Sequence, residues 1–137
     1  MIIVDTSALL AYLWASDPGH QRVAALFEAE PGPFIVSPYV VAELDYLLLA
    51  KGGVRAQLVA LGELASGAYE LPIMGAADLI MCAEVVGRFA DQSIGVTDAS
   101  LVILAERYAT TKIATFDHRH FSVLRSLTGE SFTLLPA

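Results

Sequence analysis

The first ten residues, MIIVDTSALL (Met1–Leu10), decide how the rest of the chain is read. Ile2, Ile3 and Val4 form an unbroken β-branched run, the pattern of a strand buried on both faces at the centre of a parallel sheet. Asp5 ends the run. Thr6 and Ser7 are good helix starters and Ala8 to Trp14 has a helical pattern, so Asp5 is expected on a strand-to-helix turn at the strand's carboxyl end. In open α/β sheets ligands bind at that edge. The same position also suits an aspartate that merely caps the next helix, and these ten residues leave both roles open.

Working outward, the length of 137 residues suits one domain, 1–137, with a core of its own. Hydrophobic residues make up 55% of the chain and charged residues 17%, which excludes a disordered protein and predicts that some apolar surface meets a partner. The early apolar run lacks a basic leader, and Leu44 to Ala50 is too short to span a bilayer and contains Asp45. A cytoplasmic protein with no membrane segment is expected. Cys82 is the only cysteine, so no internal disulfide forms, and its helical setting predicts a buried, unreactive thiol. The net charge of −7 argues at first against a nucleic-acid partner. Carboxylates that hold divalent cations reverse the local sign, however, and Arg107, Lys112, Arg119 and Arg125 make the last part of the chain slightly basic.

Further along, Asp17-Pro18-Gly19 is a turn, His20 to Glu30 a helix, and Phe34-Ile35-Val36 a second buried strand. Ser37-Pro38 places a capping hydroxyl before a proline suited to the first helical position. Along that helix Val40, Leu44, Leu47 and Leu48 form an apolar stripe, with Glu43 at its margin and Asp45 turned to the surface or to a partner. Gly52-Gly53 breaks the helix, and Val54 to Ser66 rebuilds one with Val54, Leu58, Leu61 and Leu64 on one side. The result is a protruding helical hairpin. Tyr69 to Leu71 reads as a short strand, Ala76 to Phe89 as a helix, and Asp91 to Val96 as a loop leading to Thr97 and Asp98. Asp98 opens the pattern Leu101, Val102, Ala105, Tyr108, with Thr97 as the expected cap. Ile113-Ala114-Thr115 repeats the first strand and Asp117 repeats the position of Asp5; Phe132 to Leu135 is a final edge strand.

Short strands alternating with helices imply an α/β fold with a mostly parallel sheet, which gathers strand carboxyl ends at one edge. Asp5 and Asp117 fall there, and Asp98 and Glu43 can reach it. Acids so gathered repel, and a divalent cation removes the conflict. With no nearby cysteine or clustered histidine, all-oxygen ligands favour Mg²⁺ or Mn²⁺ over Zn²⁺.

The order and spacing of Asp5 in VDTSA, Glu43 in SPYVVAEL, Asp98 in IGVTDA and Asp117 in TFDHRHF resemble the PIN-domain nucleases, within them the VapC-type toxins of bacterial toxin–antitoxin pairs. The resemblance covers essentially the whole chain and implies a three-layer α/β/α domain. It makes Asp5, Glu43, Asp98 and Asp117 the metal-binding and catalytic quartet of a Mg²⁺-dependent endoribonuclease, with a tRNA or rRNA loop as RNA substrate. It also implies a cognate antitoxin and a homodimer.

Within that frame Asp5 and Asp98 are expected as direct ligands of a shared ion, Asp117 as the third, and Glu43 as a ligand directly, through water, or at a second ion. Thr6, Ser7 and Thr115 could orient carboxylates or contact a phosphate, and serve equally as caps and strand residues. Asp91 could support the site or be an ordinary loop aspartate. His118 and His120 are a weak metal signal that could instead face RNA along with Arg119; Trp14 is expected to pack rather than stack on bases. Two rival readings are a phosphotransfer enzyme working through an aspartyl-phosphate and a non-catalytic interaction module. The first lacks a second acid where Ser7 stands and a lysine after the late strand. The second leaves Glu43 and Asp98 beside apolar faces without a reason.

Overall fold

The structure, a computed structural model, describes residues 1–137. Its sheet is wholly parallel, in the order β2 (Phe34–Ile35), β1 (Ile2–Val4), β3 (Lys112–Ala114), β4 (Thr133–Leu135). The first strand is therefore central. Every residue of β1 is fully buried, as an unbroken β-branched run requires when helices cover both faces. Register places Ile3 beside both Ile35 and Ile113, so strands from distant parts of the chain end level with one another. Tyr69 to Leu71 contributes only a single bridge, Glu70 to Ile35, rather than the strand expected there.

The helices are α1 (Thr6–Leu13), α2 (His20–Ala29), α3 (Pro38–Leu64), α4 (Ala76–Arg88), α5 (Val96–Arg107) and the short α6 (His118–Phe121). α5 packs on β1 and carries an almost continuous buried run from Ala99 to Ala105. α3 starts as expected, with Ser37 Oγ accepting the Tyr39 N–H at 3.1 Å and Pro38 at the first helical position. It breaks at Gly53, whose φ of 71° and ψ of −168° suit glycine alone. Gly52 is needed for a different reason: a Cβ there would lie 2.7 Å from the Trp14 ring, which packs onto its backbone. The arm beyond Gly53 returns as the second limb of a hairpin, and Asp45 braces it by accepting from Gln57 Nε2 at 2.7 Å. Asp45 is thus half-buried and spent within the hairpin.

Of the expected apolar side of that arm only Leu64 is buried, while Val54, Leu58 and Leu61 are exposed. Cys82 is buried in α4, and burial pushes its thiol pKa up, as for an unreactive cysteine. No helix is long and apolar enough to cross a membrane.

Candidate active site

At the carboxyl edge of β1, Asp5 occupies the N-cap position of α1 but makes no capping hydrogen bond. Its Oδ2 instead accepts from Thr115 Oγ1 at 2.7 Å and from Ser7 Oγ at 3.0 Å. Those hydroxyls are themselves aimed by the backbone beyond β3: Asp117 N–H donates to Thr115 Oγ1 and Phe116 N–H to Ser7 Oγ, each at 2.9 Å. Each hydroxyl owns one proton, and both protons go to Asp5. The 3.3 Å contact between Ser7 Oγ and Thr115 Oγ1 therefore has no proton in it. The network runs one way, from backbone amide to hydroxyl to carboxylate, and leaves Asp5 Oδ1 without a side-chain donor.

Asp117 follows β3 as Asp5 follows β1, and here the carboxylate does cap: its Oδ1 accepts the His120 N–H at 3.1 Å. The Nδ1 of the same histidine lies 3.0 Å from Asp117 Oδ2 and 3.5 Å from Asp98 Oδ2. His120 thus bridges two acids, and with them forms a set of donor atoms all within 4.8 Å of one another. The sequence marked His120 only as one of a loop pair; its neighbour His118 is exposed and joins nothing.

Asp98 lies in the first turn of α5, with its side chain 17% exposed. The helix begins earlier than expected, at Val96 with Gly95 as its N-cap, so Thr97 is not the cap. Burial first, and then the Asp5 carboxylate, push the Asp98 pKa up to about 6; Asp117 and Glu43 add to this and His120 opposes it. Asp5 is also raised, mainly by burial, with the Thr115 and Ser7 hydrogen bonds opposing and Asp117 adding. Asp5, Asp98 and Asp117 are thus within electrostatic reach of one another, and Glu43 is within reach of Asp98. Glu43 sits at the rim: it is exposed, without a hydrogen bond or ion pair, rather than at the margin of a buried face.

A buried pair of serines sets α3 against α5. Ser100 Oγ donates to the Thr97 carbonyl at 2.6 Å, so the 2.8 Å contact with Ser37 Oγ must use the Ser37 proton. This bond joins the N-terminal turns of the helices that carry Glu43 and Asp98. Ser100 was legible only as the single hydroxyl in the apolar run from Ala99 to Ala105.

The remaining candidates lie elsewhere or stand idle. Asp91 is exposed and bonded only to Gln92 Nε2, at 3.3 Å, so it is not brought to the acids. Arg119 is exposed beside the site on α6. Thr6 is buried with its Oγ1 unpartnered, and Trp14 packs against the core.

Carboxylate oxygens at this spacing, joined by one imidazole nitrogen, suit a hard divalent cation; the nitrogen makes Mn²⁺ as acceptable as Mg²⁺. Residues 2–126 match the PIN domain, so the chain belongs to the PIN-domain family. Among individual proteins it is 50% identical to ribonuclease VapC26 of Mycobacterium tuberculosis, over 98% of this chain and 100% of that one. Its fold matches VapC20 of the same organism, a toxin that cleaves the sarcin–ricin loop, with a TM-score of 0.80 at 23% identity over 86% of this chain and 91% of the other. It also matches the VapBC2 structure from Rickettsia felis, bound to a DNA fragment from its promoter, with a TM-score of 0.66 at 18% identity over 98% and 97% of the chains.

Proposed function

We propose that this chain is a cytoplasmic, single-domain, Mg²⁺-dependent endoribonuclease toxin, Mn²⁺ also serving, that hydrolyses phosphodiester bonds in exposed loops of tRNA or rRNA. A cognate antitoxin restrains it and a second copy pairs with it. The observation that carries this reading is geometric: donor atoms of Asp98, Asp117 and His120 lie within 4.8 Å of one another, in a place where burial first and then the Asp5 carboxylate raise the Asp98 pKa to about 6. The 50% identity to a protein named a ribonuclease supports the reaction class.

In this reading Asp5, Asp98 and Asp117 hold the ion, and Glu43, which has no internal bond to break, orients the attacking water from the rim. The cation, when bound, supplies Lewis-acid stabilisation of the charge that develops on the phosphate. Thr115 and Ser7 fix Asp5 and oppose the rise in its pKa that burial causes. His120 aims Asp117 through its main-chain N–H, which donates to Asp117 Oδ1. Hydrolysis consumes one water and yields one phosphate monoester end and one hydroxyl end.

The test pairs RNA cleavage with metal-dependent melting. Wild-type protein is expected to cut RNA only with Mg²⁺ or Mn²⁺ and to melt at a higher temperature with either ion. Asp98→Asn is expected to lose both responses. Cleavage that survives chelation, or an Asp98→Asn variant that keeps both, overturns the reading.

A further inference from the structure

Thr115 and Asp117 turn toward the acids, and Phe116 between them turns the other way. There it floors a separate cleft of about 370 Å³ lined by Ser7, Leu10, Asp17, Gly19, Arg22 and Phe116. The cleft opens directly off the acid edge, since Ser7 lines it while its hydroxyl bonds Asp5.

Three features of this cleft point to an anion. The Arg22 guanidinium lies 5.5 Å from the Phe116 ring centroid, stacked on an aromatic platform that restricts where it points. No Asp or Glu side chain pairs with it; its one hydrogen bond is a 3.3 Å donation to the main-chain oxygen of the last residue, Ala137. Phe116 in turn is pressed against Gly19, where a Cβ would lie 2.6 Å from its ring, so platform and turn are fitted to each other. By contrast Arg107 is paired with Asp78, Lys112 with Glu30, and Arg125 with backbone carbonyls. Lys51, Arg55, Arg88 and Arg119 are also without ion pairs, so what distinguishes Arg22 is its aromatic platform in a cleft that adjoins the acids. Asp17 is the one opposing charge, and its Oδ1 is already engaged by the Gly19 N–H at 2.8 Å.

We infer that this cleft is a substrate subsite in which Arg22, seated on Phe116, binds a backbone phosphate of single-stranded RNA next to the phosphate that is cut. The inference rests on the ribonuclease reading. A guanidinium offers paired donors to phosphate oxygens, and a second charged contact fixes the strand's direction past the acids.

The test measures binding of a fluorescein-labelled single-stranded RNA oligonucleotide to the full chain in chelator, across a salt series, together with cleavage kinetics in Mg²⁺. Arg22→Gln is expected to weaken binding about 5- to 10-fold and to flatten the plot of log affinity against log salt by about 0.7, the loss of one phosphate contact. In cleavage it raises KM by a similar factor and leaves kcat within twofold. Asp17→Asn is expected to tighten binding, and Phe116→Leu to weaken it less than Arg22→Gln does. Melting curves establish that each variant is folded, and Arg22, being exposed, tolerates the change. Unchanged salt slope and KM in a folded Arg22→Gln protein overturn the subsite while leaving the nuclease standing. Wild-type protein that binds the oligonucleotide with the expected Arg22 dependence but cuts no RNA overturns the nuclease and keeps the subsite. Wild-type protein that binds no oligonucleotide overturns the subsite.

Discussion

The acid edge and the helical arm beyond Gly53 are out of balance in opposite senses. At the edge, charge is buried: Asp5 is 5% exposed and shares its surroundings with Asp98 and Asp117. On the arm, apolar surface is in water: Val54, Leu58 and Val59 are 58%, 62% and 66% exposed. Like charge in a low dielectric is relieved by a cation, and exposed apolar side chains by another apolar surface. Each region is thus shaped for something the chain itself does not supply. The edge holds its imbalance through hydroxyls and backbone amides; the arm turns at one glycine and is held by the Gln57–Asp45 bond and by buried Ala60 and Leu64.

The sharpest way to break this contrast is at the edge. Asp98→Asn is expected to cut RNA cleavage more than 100-fold while raising the melting temperature of the metal-free protein, because a repelling charge has gone. A melting temperature that fell would mean Asp98 is a structural anchor instead. Gly53→Ala attacks the arm, forcing a side chain into a conformation that costs about 1–3 kcal/mol. Denaturant titration reads that loss, and cleavage per folded molecule is expected to persist. Thr115→Ala removes one of two donors to Asp5, costing about 1–2 kcal/mol of stability and some tenfold in cleavage at neutral pH.

Smaller effects come from protons and from the arm's surface. Folded Asp98 holds its proton up to about pH 6, against an ordinary value of 3.8, and Asp5 is shifted in the same direction. The folded state therefore binds more protons than the unfolded state between those values, so metal-free stability falls as pH rises from about 4 to 6. Allowing for solvent screening at Asp98, the fall is about 1–2 kcal/mol. Unfolding at a series of pH values reads it, and Mn²⁺ should flatten the curve by favouring the ionised acids. Smallest for the isolated chain is Val59→Lys, expected to shift stability by no more than about 0.5 kcal/mol while weakening association in sedimentation experiments. An unaltered association state would remove the arm as a contact surface.

The two regions also differ in how far they could be read from residues alone. The edge was legible because a β-branched run ending in an acid occurs at Val4-Asp5 and again just before Asp117, and parallel topology places such ends together. The arm misled, since the spacing of Val54, Leu58 and Leu61 reports an amphipathic helix but not whether its apolar side faces the chain's own core. Glu43 was placed too deep for a related reason: a stripe tells which side of a helix is apolar, not how far a neighbouring helix covers its margin. His120 joins the acids through a single turn of helix only four residues long, too short to leave a periodic trace. Gly95 took the cap expected of Thr97 because the helix gained two residues, Val96 and Thr97, a boundary that hydroxyl preference does not determine.

The central position of β1 sets when the edge can exist at all. The Thr115 hydroxyl that fixes Asp5 lies 110 residues further along, and the strand beside it is made just before. During synthesis the opening residues must wait, unpaired on that side, until residues 112–115 have left the ribosome, so the growing chain carries no assembled acid edge before then. A version stopped before Lys112 should accordingly show rapid amide exchange at Asp5, whose N–H donates to the Ala114 carbonyl, and slower exchange at Ile2, whose N–H donates to the Pro33 carbonyl.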